Sequence, residues 1–250
     1  MAGGAGESWW GTRGVATPNA HTTGGGSRLA AATRADLTGL PVDVAPRLLG
    51  GVLEVEAGGV TVAVRLTEVE AYHGAGTGSI PDPGSHARMG RTLRNTTMWG
   101  EPGHLYVYLS HGIHSCVNVV CGPVGVAGGI LLRAGEVIDG VDAAFARRPA
   151  ARSARDLARG PGRLGAAVGL RHPLHDGIDA VAGLPQEDAV ARLRLPVSRA
   201  KEIDAGPRVG VAGVAGTAVF PWRFWLPGDP TVSPFRWGRG AEAEAIAVLD

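Results

Sequence analysis

Net charge, lysine, cysteine and long apolar runs are all scarce in this chain, and each scarcity excludes something. The 250 residues carry a formal net charge of +1, so attraction to a polyanion has to come from local clusters of arginine rather than from bulk charge. Lys201 is the only lysine, a bias that GC-rich coding produces by itself. Cys116 and Cys121 are the only cysteines. They fall on one strand and the turn after it, where side-chain alternation keeps them too far apart for disulfide geometry, so free core thiols in a reducing compartment are expected. A zinc reading of His111, His114, Cys116 and Cys121 fails on spacing, which matches no common finger, so no metal is expected. No run of about 20 apolar residues is available to cross a bilayer, and the first residues lack the basic start and apolar stretch of a secretion signal. A soluble, cytoplasmic protein is expected.

What is present is enough for one core: 44% of the residues are hydrophobic, and a chain of this length needs no second domain. Residues 1–35, rich in Gly, Ala, Thr and Ser without helical or strand period, read as a flexible tail before a domain spanning 36–250; Trp9 and Trp10 are unusual in it. Val52–Glu56, the Gly58-Gly59 turn and Val60–Ala71 read as a hairpin. Tyr72–Gly103 is a long Pro- and Gly-containing loop, a place to look for chemistry. Leu105–Leu109 and Ser115–Val120 follow as strands joined through Ser110-His111-Gly112-Ile113, then Ile130–Arg133. Between Asp139 and Leu170 the period becomes helical, broken at Pro149 and Gly160-Pro161. Arg148, Arg152, Arg155, Arg159 and Arg163 recur there at a spacing that would form one helix face, either solvated or contacting phosphate. Short strands return at Leu193–Val197, Arg208–Val211 and Val219–Leu226. The connections imply a mainly antiparallel sheet.

If Val60–Tyr72 is a regular strand, Val62, Val64, Leu66, Glu68, Glu70 and Tyr72 share one face, an apolar stripe ending in two carboxylates and a phenol. Burying a carboxylate costs several kcal/mol unless it is paired, so these need a structural partner or a job. Arg133, ending the run Ile130-Leu131-Leu132 and followed by Glu136, can be such a partner. On the strand of Leu105, Val107 and Leu109 the other face carries His104, Tyr106 and Tyr108, which is either amphipathic core or a platform for a flat ligand. His111 projects from a hairpin tip, as an ordinary turn residue or as a wedge for a base stack.

Together these segments resemble the alkyladenine (3-methyladenine, mammalian-type alkylpurine) DNA glycosylase family over roughly Ala35 to Pro234. The resemblance rests on Thr67-Glu68-Val69-Glu70-Ala71-Tyr72, His86-Ala87-Arg88, Arg94-Asn95, Pro102-Gly103-His104-Leu105-Tyr106-Val107-Tyr108, Asn118, Leu131-Leu132-Arg133-Ala134, Gly160-Pro161-Gly162-Arg163-Leu164 and Arg208-Val209-Gly210-Val211. It implies a single mixed α+β domain on a curved, mainly antiparallel, open barrel-like sheet, with flanking helices and a protruding hairpin that inserts into DNA. It implies a monomer without cofactor or metal, acting on double-stranded DNA that contains damaged purines. By similarity Glu70 is the base that activates water, Arg133 helps to hold that water, and Tyr72, His86 and Tyr108 line the base pocket. Asn118 screens purines by crowding the amino group of guanine. The family's wedge is a tyrosine, where this chain has His111, a smaller side chain able to become cationic in mild acid.

The expected reaction is monofunctional base excision: a flipped alkylpurine is released by water, with no lysine near the motif to form an imine and cut the strand. One rival is a sugar hydrolase using Glu68 and Glu70, but neighbours about 6.6 Å apart on one strand face do not flank a bond from opposite sides. Another is a non-catalytic module that recognises damaged DNA, which would have no use for Glu70 beside Arg133.

Overall fold

The computed structural model describes residues 28–74 and 81–247. Among the described residues nine strands form one open sheet in the order β1-β7-β2-β3-β6-β5-β4, with β9 on β3 and β8 on β9. These are β1 (Leu29–Ala31), β2 (Val52–Ala57), β3 (Val60–His73), β4 (Leu105–Ser110), β5 (His114–Val120), β6 (Gly128–Asp139), β7 (Ala189–Pro196), β8 (Asp204–Gly206) and β9 (Arg223–Trp225). Every pairing is antiparallel, and the sheet does not close into a barrel, since its order ends on β1 and β4. The mixed, mainly antiparallel architecture expected from the sequence is therefore present. Residues 1–27 of the expected tail lie outside the described residues, but its last part is ordered: β1 pairs with β7, and Thr33 and Asp36 form a reciprocal capping box at the start of α1 (Arg34–Leu37). No helix among the described residues is long and apolar enough to cross a membrane.

The first four helices pack into one core with the sheet. α2 (Pro41–Leu48) and α4 (Pro161–Val168) both start on proline, whose fixed φ and missing N–H suit the first helical position. Their buried Val44, Ala45, Leu48, Leu164, Ala167 and Val168 join Leu53, Val55, Leu105, Val107, Val117, Val119, Ile130 and Leu132 in one core. The short α3 (Val141–Arg147) stops before Pro149, and the chain then runs through a single 3-10 turn to α4. Arg148 to Arg163 consequently do not share a helix face, and the expected arginine stripe is corrected: Arg159, for instance, turns inward to donate to the Val232 carbonyl at 2.9 Å. Two strand assignments also shift. Arg208–Val211 is irregular chain beyond β8, and only Arg223–Trp225 of the expected Val219–Leu226 strand pairs. α5 (Ala241–Ala247) ends the described chain.

One irregularity decides where the chemistry lies. Val62, Val64 and Leu66 face the core, but so do Val69 and Ala71, so β3 changes phase between 66 and 69. Its register steps from Leu66 opposite Gly135 to Glu68 opposite Ala134, leaving Thr67 unpaired, then to Val69 opposite Leu132, leaving Arg133 unpaired. A bulge re-aims every side chain beyond it. Glu68, Glu70 and Tyr72 therefore leave the face of Val62, Val64 and Leu66, contrary to the regular-strand expectation, and emerge on the opposite side of the sheet together with Arg133.

Candidate active site

On the face away from the main core, Tyr106 and Tyr108 of β4 alternate with core residues as the sequence predicts, and Cys116 and Asn118 of β5 do the same. With Leu131 and Arg133 of β6 they form the floor of a cavity of about 600 Å³. The 83–88 loop closes one side and residues 209–212 another. All three tyrosines of the chain line it. The Tyr106 and Tyr108 rings lie 5.4 Å apart and 21° from parallel, and His86 meets Tyr108 edge-on at 4.6 Å. The Tyr106 hydroxyl lies 3.3 Å from His86 Nδ1. The Asn118 side-chain amide donates to the Tyr106 carbonyl at 3.1 Å.

The two carboxylates of β3, both fully buried, share Arg133 but otherwise have different partners. Glu68 is saturated. It accepts from Arg133 Nε at 3.0 Å, Arg223 Nε at 2.7 Å, the Ser233 N–H at 2.7 Å and the Ser233 hydroxyl at 3.0 Å. Glu70 accepts from the Val209 N–H at 2.6 Å, the Tyr72 hydroxyl at 2.8 Å and Arg133 Nη1 at 3.4 Å. Each of its three donors also lines the cavity. Burial alone would lower the Arg133 pKa, but the adjoining Glu70 and Glu68 outweigh it and hold the guanidinium charged more firmly than in water. Enclosure, and then the neighbouring Glu70 charge, push the Tyr72 phenol well above its ordinary value, so it stays a hydrogen-bond donor.

Behind Tyr72 lies a second buried pair. Arg208 donates to both Asp82 oxygens, at 2.8 and 2.7 Å, and to the Ala71 carbonyl at 3.1 Å. Its guanidinium sits 4.5 Å from the centre of the Tyr72 ring. Burial opposes its charge, and the hydrogen bonds it donates to Asp82, with the electrostatic pull of Tyr72, Asp82 and Glu70, more than restore it.

The structure thus brings Tyr72, His86, Tyr108, Asn118 and Arg133 to one cavity, with Glu70 directly behind its wall. His111 stands at its rim, on the exposed turn between β4 and β5, where His111 and Gly112 have φ of 51° and 72°. Consecutive positive φ values at a tight hairpin turn explain the glycine. Tyr106 is read from the strand alternation as part of a ring-bearing face, and Arg208 and Val209 only as part of a resembling segment, with no role given. Asp82, Arg223 and Ser233 are not among the sequence candidates for the site; Asp82 and Ser233 sit in irregular segments that carry no periodic signal.

A family model described as methylpurine-DNA glycosylase matches residues 36–230. A relative from Nocardia farcinica is 51% identical over 199 residues, 78% of this chain and 87% of the relative. One from Leifsonia xyli subsp. xyli is 49% identical over 199 residues, 78% and 88% of the two chains. One from Mycobacterium tuberculosis is 43% identical over 210 residues, 84% and 96%. All three bear the name "Putative 3-methyladenine DNA glycosylase". With the cavity, the paired carboxylates and a match over most of its length, the chain belongs to the methylpurine-DNA glycosylase family.

Proposed function

We propose that the protein excises alkylated purines of the 3-methyladenine type from double-stranded DNA, with Glu70 as the base for the attacking water. The carrying observation is that all three donors that hold the Glu70 carboxylate, Val209, Tyr72 and Arg133, are also walls of the aromatic cavity. A purine flipped into that cavity stacks on the tyrosines for about 1–3 kcal/mol, and a cationic alkylated ring gains a cation–π attraction that a normal base lacks. Asn118, on the floor, crowds the amino group of guanine, and His111, at the rim, fills the gap in the stack.

Alkylation at N3 or N7 leaves the purine positively charged and ready to depart. The water oxygen bonds to C1′ as the C–N bond breaks; the bond's electron pair stays on the purine, and the water's proton passes to Glu70. The ionised carboxylate also stabilises the positive charge developing on the sugar. The products are the free base and an abasic site. Glu68 takes no part in proton transfer, since four donors occupy it, which disfavours a sugar-hydrolase pair.

Incubation with methylated duplex DNA, followed by assays for released base and abasic sites, tests the reading. Glu70→Gln should slow excision by a factor of about 10²–10⁴ while leaving binding of the lesion intact. Robust turnover by that variant would remove Glu70 from the mechanism, and lesion binding without any release by the unaltered protein would leave a damage-recognition module.

A further inference from the structure

The family match stops at residue 230, but the described chain continues as a strap across the sheet. We infer that this strap, residues 229–241, positions the Glu70 carboxylate from both of its oxygens. The inference rests on Glu70 being the base.

Two lines of contact run from the strap to Glu70. The first goes through Ser233. Its hydroxyl donates to Glu68 Oε1 at 3.0 Å and accepts from Arg133 Nη2 at 3.2 Å, using its one proton and a lone pair. Arg133 Nε is tied to the same Glu68 oxygen at 3.0 Å. A guanidinium is planar and rigid, so fixing Nε and Nη2 fixes Nη1, which points at Glu70 Oε2 from 3.4 Å. The second line goes through the loop after β8. The Gly210 N–H donates to the Arg236 carbonyl at 2.9 Å and the Gly213 N–H to the Arg239 carbonyl at 3.0 Å. The preceding residue, Val209, then presents its N–H to Glu70 Oε1 at 2.6 Å. Contact on this side is close: a Cβ added at Gly238 would lie 2.0 Å from the Val211 carbonyl oxygen, so only glycine lets the strap lie against the loop.

The charge balance fits a positioning role. Glu68 and Glu70 face Arg133 and Arg223, and Arg223 Nη2 donates to the Ser233 carbonyl at 3.0 Å. Ser233 is the uncharged member that decides which way Arg133 is turned.

The test is single-turnover excision from duplex DNA carrying a methylated purine, with binding to abasic-site DNA and thermal unfolding measured alongside, on Ser233→Ala, Ser233→Thr, Gly238→Ala and Glu70→Gln. Ser233→Ala should slow excision by about 10-fold per folded molecule with DNA affinity within about 2-fold, and Ser233→Thr, which keeps the hydroxyl, should recover most of that loss. Gly238→Ala, acting on the other oxygen, should slow excision at least as much. If Ser233→Ala and Gly238→Ala both cut at the unaltered rate while Glu70→Gln is inactive, the strap is only structural and the inference falls alone. An active Glu70→Gln would instead overturn the reading on which it rests. Losses that simply track the folded fraction count against a positioning role.

Discussion

The main-chain N–H of Val209 donates to the Glu70 carboxylate at 2.6 Å, across 139 positions of sequence. Glu70 sits on a central strand and Val209 in an irregular loop, so the contact depends on what anchors that loop. The neighbouring Arg208 supplies the anchor by clasping Asp82 through two hydrogen bonds. Both side chains of that pair are fully buried.

Asp82→Ala should therefore leave a buried, unpaired guanidinium and destabilise the fold by about 3–5 kcal/mol, as breaking buried pairs does. Denaturant unfolding measures this. A loss under about 1 kcal/mol would mean that Arg208 is rehydrated and that Asp82 does not anchor the loop.

Glu68 and Glu70 should separate cleanly in a stability assay. Glu68→Ala strands the buried Arg223, leaves Arg133 with Glu70 alone, and should also cost about 3–5 kcal/mol, with lower yields of folded protein. Glu70→Gln keeps an acceptor for the Val209 N–H and turns its amide NH2 towards the Tyr72 hydroxyl, which can rotate to accept, and it should cost far less. Equal destabilisation by the two variants would contradict the division of roles.

Much of the site could be read from the sequence. Alternation along Leu105–Leu109 placed Tyr108 on the polar face, and carboxylates at the end of an apolar strand marked Glu70. The regular alternation assumed for β3 nevertheless assigned both carboxylates to the core face, because a single unpaired residue at Thr67 leaves no trace in the hydrophobic pattern. The contacts of Asp82, Val209 and Ser233 were unreadable for a different reason. Their partners are more than 120 residues away, and local propensity carries no information about such distant contacts.

Enclosure by the cavity wall, and then the charges of Arg94 and Arg88, lower the pKa of His86 below the ordinary value of 6.5, although one edge of the residue stays exposed. A native value below the unfolded one means that the unfolded chain binds more protons between the two. The contribution of His86 to stability is thus intact above pH 6.5 and is lost as the pH falls through the native value. An NMR titration that gives His86 a pKa at or above 6.5 would contradict this.

His111→Tyr should tighten binding to abasic-site duplex DNA, because a larger ring fills more of the gap left by a flipped base. Unchanged affinity in a titration with labelled duplex would count against a wedge at this turn.

Both cysteines are free and buried, and burial raises their thiol pKa values. A thiol reagent at pH 8 should label the folded protein slowly and the denatured protein with two equivalents. Fast labelling of the native state would show that Cys116 is open to solvent through the cavity.

Glu68 and Glu70 are held by side chains and main-chain groups drawn from positions as far along as Ser233. A chain clipped before Ser233 would leave Glu68 without two of its four donors and Arg133 without the hydroxyl that meets Nη2. The last stretch of chain thus completes the polar interior of a sheet laid down far upstream.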